Sequence, residues 1–109
     1  FKMTVEELHD FCKKNGWILS QAHPFRKMIS YHHPEFLDAA EVINDNPRQQ
    51  NNNDLAIKYA KENNLIQTAG SDFHEPQDAR AGVLLKNAVN SEKELVSELK
   101  KRIHEPFAF

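Results

Sequence analysis

Three residues in this chain have the types and the spacing to share a metal ion. His23 stands in the string Ala22-His23-Pro24, while Asp72 and His74 stand in Gly70-Ser71-Asp72-Phe73-His74. Imidazole and carboxylate donors together suit zinc, iron or manganese, and the only thiolate on offer is Cys12. An Asp-x-His pair is compact enough for both side chains to leave one turn toward a common centre. A histidine fixed through its second nitrogen, with a carboxylate on a neighbouring loop, is a common coordination arrangement. Each string also has an ordinary explanation. His-Pro marks a turn, and the aspartate of Ser-Asp-x-His can close an Asx turn. What sets the metal reading level with these alternatives is where both strings fall relative to the strands.

Those strands follow from local pattern. Thr4 through Glu7 reads as a capping box, with Val5, Leu8, Phe11 and Cys12 recurring on one helical face and Asn15-Gly16 as the stop. Trp17 through Ala22 is an apolar run suited to a buried strand, closed by His23-Pro24 because proline cannot donate to a ladder. Phe25 to Asp38 is irregular. Ala39 through Asn44 predicts a second strand, and Asn53 is expected to cap a helix that buries Leu55, Ala56, Tyr59 and Ala60. Asn63-Asn64 ends that helix. Leu65 through Ala69 predicts a third strand, and Gly82 through Leu85 a fourth. Ser91 through Glu94 repeats the capping box, ahead of a helix with Leu95, Val96, Leu99 and Ile103 as its buried stripe and Glu98/Arg102 paired on its outer side. The tail from Pro106 is apolar and unassigned.

Strands alternating with helices predict an α/β fold with a parallel sheet of three to four βα units. In such folds ligands gather at the carboxyl ends of the strands. His23 follows the first strand and Asp72 and His74 the third, so all three fall at that end.

At 109 residues, the chain reads as a single domain over residues 1–109. Hydrophobic residues at 39% and charged residues at 28% are ordinary for a globular protein, and no apolar run is long enough for a membrane span. A net charge of -2 with interspersed signs gives no basic footprint, so nucleic acid is not indicated as a partner. The single cysteine, Cys12, excludes an internal disulfide and fits a reducing, cytoplasmic setting, with a small buried thiol as its expected role. A start on Phe1 is read as the mark of a piece cut from something longer.

Four strings carry a family resemblance: QAHPFR from Gln21, EVINDNPR from Glu41, NDLAIKYAKENNL from Asn53 and AGSDFHEPQD from Ala69. Together, in this order and spacing, they resemble the PHP (polymerase and histidinol phosphatase) family, over most of residues 4 to 105. The resemblance implies the last part of a distorted (β/α)7 barrel and a metal-dependent phosphoesterase, or a PHP domain attached to a DNA polymerase. Carried over residue by residue, His23 matches the histidine of the family's third motif, and Asp72 and His74 match the aspartate and histidine of its fourth. In relatives such ligands contribute to a cluster of two or three divalent ions, which neutralise phosphate oxygens and lower the pKa of a bridging water. The family's first motif, His-x-His, and the histidine and glutamate of its second are absent here. His32-His33 are adjacent and poor substitutes, expected to face solvent or form a local turn.

The length agrees with that loss, since a closed barrel needs about 200 residues or more. The expectation is therefore a carboxyl-terminal portion of a PHP protein, inactive by itself, whose partners are a missing amino-terminal half and a phosphorylated substrate. No catalytic residue is assigned within the chain. Arg26 and Arg48 are candidate phosphate-binding groups, against the plain reading of surface arginines. Glu41 is placed at the far end of its strand as a structural residue, and Asn44 and Asn46 at the near end, where they could orient a ligand. His9 belongs to no site, and His104 is explained by a helix dipole. Two other functions stay open: an assembly module, including a homo-oligomer formed through exposed strand edges and helix faces, and a polymerase-associated PHP domain.

Overall fold

The computed structural model describes residues 2–109. A helix α1 (Val5–Lys14) starts where Thr4 Oγ1 accepts the Glu7 N–H at 3.1 Å. Its stop is Asn15-Gly16, where Gly16 holds a left-handed φ of 70° and Trp17 N–H closes back on the Cys12 carbonyl. Three parallel strands follow, β1 (Ser20–Gln21), β2 (Ala39–Asn44) and β3 (Ile66–Gly70), in the spatial order β1-β2-β3. Helix α2 (Asn53–Glu62) makes the crossover from β2 to β3. Strand β4 (Ala81–Leu84), helix α3 (Glu92–Lys100) and strand β5 (Glu105–Ala108) complete the chain.

The core lies between β2 and α2. Ala40 and Val42 on the strand meet Ala56, Tyr59 and Ala60 on the helix, with Leu65 at the entry to β3. Small residues on both sides let the two elements approach closely, and Phe25, Leu37, Ile43 and Ile57 pack around them. Full burial of a side chain like Val42 contributes about 1.5–3 kcal/mol.

The α/β class and the parallel sheet hold, as an open sheet of three strands among the described residues. Several local expectations change. The run Trp17–Ala22 pairs as strand only over Ser20–Gln21, because Leu19 N–H is taken by the Asp38 carboxylate and Trp17 is 53% exposed. The fourth strand is not another βα unit. It pairs antiparallel with the tail, Ala81 opposite Ala108 and Leu84 opposite Glu105, in a separate two-stranded sheet. The apolar tail thereby gains a role that its proline hid: Pro106 sits opposite Val83 on a two-stranded ribbon, which has outer edges that need no donor.

Helix details shift as well. Asn52, left-handed at φ 52°, takes the cap position in place of Asn53. Asn53 turns its amide to Asn44, accepting its N–H and donating to its carbonyl. Leu55 is exposed rather than buried. Leu95 on α3 and Ile103 beyond its end are exposed, and Glu98 is buried, held by Asn87 and Lys101 instead of Arg102. Arg102 instead bonds the Asn64 side chain and carbonyl. His104 is explained by a tertiary bond, its Nε2 donating to the Gln67 carbonyl at 2.7 Å, and not by a helix end.

Candidate functional site

The carboxyl ends of β1, β2 and β3 carry one connected polar network. His23 follows β1 with φ 29°, and its backbone N–H donates to Glu41 Oε2 at 2.8 Å. The same Glu41 oxygen accepts from Asn44 Nδ2 at 3.0 Å. Asn44 Oδ1 accepts from Arg26 Nη2 at 3.2 Å, and that Nη2 donates to Asp72 Oδ2 at 2.5 Å. Asn51 Oδ1 takes Arg26 Nε at 2.9 Å, and Asn46 Nδ2 adds a longer contact of 3.3 Å to Asp72. His23 and Asp72, at the ends of β1 and β3, are thus bridged by β2 side chains and the Arg26 guanidinium.

Glu41 therefore belongs to this end of the sheet, and its expected placement at the far end is corrected. The pairing of β2 with β3 slips between Glu41 and Ile43, where a bulge leaves an unmatched residue. A bulge breaks strict side-chain alternation, so Glu41 can reach Asn44 instead of facing away from it. Gly70 makes room: a Cβ there would lie 2.9 Å from Glu41 Oε1.

The loop after β3 is organised by a second carboxylate. Asp78 is fully buried, and its Oδ2 accepts the N–H groups of His74 and Glu75, both at 3.0 Å. Arg48 grips it with both arms, at 3.1 and 2.5 Å. The Arg48 guanidinium, more than burial opposes, holds the Asp78 carboxyl well below the usual aspartate range. Asp72 takes a left-handed φ of 51°, which an aspartate tolerates. Its pKa is also lowered, first by the Arg26 hydrogen bond and then by Asn46, against desolvation.

Each residue singled out from sequence has a definite place. His23 is partly buried, and its Nδ1 is enclosed with no hydrogen-bond partner. His74 is mostly exposed, with its Nδ1–H donating to the Asp72 carbonyl at 2.7 Å, which leaves Nε2 as the lone-pair nitrogen. Asp72 is occupied by Arg26. Among the described residues, no three His, Cys, Asp or Glu side chains converge well enough to hold a metal ion. The donors suit a metal in type but do not fit one as a closed set. Arg26 and Arg48, the phosphate candidates, both point their guanidinium groups at carboxylates, Asp72 and Asp78.

Of the histidine pair, His33 is exposed as expected and His32 departs. His32 stacks on Phe25 at 4.3 Å, and its Nε2 donates to the Pro24 carbonyl, so it braces the His23-Pro24 turn rather than facing solvent. His33 is half exposed near Glu35. Sequence reasoning missed Glu41, Asn51 and Asp78. The available signal was the asparagine series 44, 46, 51 and 53, an unusual density of amides at a strand end.

An open parallel α/β sheet with polar residues gathered at its strand carboxyl ends defines the class of protein. A family model described as PHP-associated matches residues 50–103. Over those residues the chain is similar to that PHP-associated family, which is consistent with a carboxyl-terminal portion of a PHP protein. That match includes Asp72 and His74 and stops short of His23, Arg26 and Arg48. No curated protein and no solved structure matches the chain.

Proposed function

We propose that this chain is a portion of a PHP-type metal-dependent phosphoesterase, contributing His23, Asp72 and His74 to a site completed by groups outside it. The observation that supports this reading is the enclosed His23 Nδ1, a buried ring nitrogen without a partner. It lies at the same sheet end as the Asp72/His74 loop. A buried unsatisfied nitrogen is costly and rare, and a ligand is one reason to keep it. The metals the donor set suits are zinc, manganese or iron.

Metal content of the purified chain tests this. Wild type is expected to retain manganese or zinc above His23→Ala and His74→Ala, weakly, because the donors do not close around one ion. Equal content in all three sinks the assignment. The chain alone is expected to leave p-nitrophenyl phosphate intact, and metal-stimulated turnover would overturn the view that it is only a contributor.

A second reading, self-association, is favoured by one surface. Trp17 and Ile18 face Leu95, Val96 and Leu99 of α3 across an open groove of about 690 Å³. Phe11 stacks edge-on against Trp17, and both are exposed. Light scattering over a concentration series decides this: a strict monomer removes the reading, and Trp17→Ser is expected to abolish any dimer.

A further inference from the structure

Asn15-Gly16 closes α1, and it is also the one place in the chain where asparagine precedes glycine. Glycine leaves its backbone nitrogen unshielded, so an asparagine side chain before it is open to attack by its own main chain. The junction is bare. Lys13, Lys14, Asn15 and Gly16 are all exposed, and a Cβ on Gly16 would meet nothing within 4 Å. The two lysines beside it favour the anion formed when the Gly16 amide loses its proton. Three restraints hold the resting conformation out of reaction. Asn15 has ψ 1°, which eclipses the Gly16 nitrogen with the Asn15 nitrogen and so keeps it away from Cβ. The Gly16 N–H donates to the Lys13 carbonyl at 3.2 Å, and Asn15 Nδ2 donates to the Phe11 carbonyl at 2.8 Å. All three belong to one exposed helix end, the kind of place that frays at little cost.

We propose that Asn15 is a site of spontaneous deamidation, gated by the opening of the α1 cap. The Gly16 nitrogen, having given its proton to solvent, bonds to Asn15 Cγ. The Cγ–Nδ2 bond breaks, and ammonia leaves with protons taken from water. Water then adds to either carbonyl of the cyclic imide, giving aspartate or isoaspartate with no change of oxidation state. Either product undoes the cap. A carboxylate cannot donate to the Phe11 carbonyl, and it sets negative charge at a helix carboxyl end, where the dipole disfavours it. Isoaspartate also adds a carbon to the main chain just before Gly16. That displaces Trp17, whose N–H closes on the Cys12 carbonyl at 2.8 Å. Trp17 is the sole tryptophan and meets Phe11 edge-on, so its emission reports the loss of the cap.

Peptide mapping by mass spectrometry of the full chain, held at mildly alkaline pH, tests this beside Asn15→Gln and the product mimic Asn15→Asp. Wild type is expected to lose the Asn15 amide before any other, Asn90-Ser91 included, and to yield isoaspartate as well as aspartate. Urea unfolding is expected to speed the conversion about tenfold, the cost of opening one exposed turn. Asn15→Gln, which must close a larger ring, is expected to keep its amide over the same period. Tryptophan emission should shift as wild type converts and hold steady in Asn15→Gln. Asn15→Asp should show part of that shift from the start. An amide retained at Asn15 in the folded chain, while the urea-unfolded chain converts, would overturn the proposal. Equal rates in the two states would remove the cap as its gate, and earlier loss at Asn90 would refute the choice of site. The wild-type time course stands without the variants, should either fail to fold.

Discussion

Asp78, with no exposed surface, takes both arms of the Arg48 guanidinium and caps two consecutive backbone N–H groups, those of His74 and Glu75. The pair ties the turn after β2 to the loop after β3. It holds the loop that carries Asp72 and His74 from behind.

Breaking that pair is expected to loosen the loop. Asp78→Asn keeps the size but surrenders the charge facing Arg48, and should lower the melting temperature by about 10 °C. Hydrogen exchange should accelerate first at the His74 and Glu75 amides. Unchanged exchange there would show that the loop is held by something else.

Acid should destabilise the fold, with a definite sign. Arg26 lowers Asp72, Arg48 lowers Asp78, and the Asn87 amide lowers Glu98. In each case the folded state prefers the ionised form. The unfolded chain therefore takes up protons first, from the ordinary values of 3.8 for aspartate and 4.5 for glutamate downward. Stability from these groups is complete above that range and is lost as pH falls through it toward the depressed values. Melting temperature should decline steeply below about pH 4.5, and less steeply in Asp78→Asn. A rise in melting temperature between pH 4.5 and 3 would contradict the assignment.

Gly70 and Glu41 should be coupled. Glu41 cannot easily swing away from a new Cβ, because its Oε2 is tied to His23 N–H and Asn44 Nδ2. Gly70→Ala is expected to cost about 1–2 kcal/mol in urea denaturation, and clearly less in a Glu41→Ala background. Strict additivity of the two changes would refute the contact.

Tyr59 carries a hydroxyl its environment does not use. The residue is buried, its oxygen has no partner, and burial pushes the phenol pKa up. Tyr59→Phe should leave stability unchanged or raise it by up to about 1 kcal/mol. A loss above about 2 kcal/mol would mean the hydroxyl is bonded in solution.

Much of the fold was legible because its signals are local. Ala39–Asn44 emerges as the strand expected over the same residues, Thr4 and Ser91 accept the N–H groups that their boxes require, and Asn64 ends α2 in a left-handed turn. The Ala56/Tyr59/Ala60 stripe is buried where a 3.6-residue period puts it. Cys12 is buried, as a small thiol on an apolar face should be. The placement of His23 and the Asp72/His74 loop at one end of a parallel sheet also follows from strand order alone, and the strings from Asn53 and Ala69 lie within the residues that the PHP-associated family model matches.

What the tertiary structure decided are the pairings between distant residues. A bulge in β2, invisible in composition, brought Glu41 to His23. The tail found β4 as an antiparallel partner because strand edges pair by backbone, which carries no sequence label. Above all, His23, Asp72 and His74 could be named from the sequence, but not their company. That Asp72 answers to Arg26, and that Arg48 answers to Asp78 behind the loop, are long-range electrostatic choices. They are made only when separate loops are folded to within a few ångströms of each other.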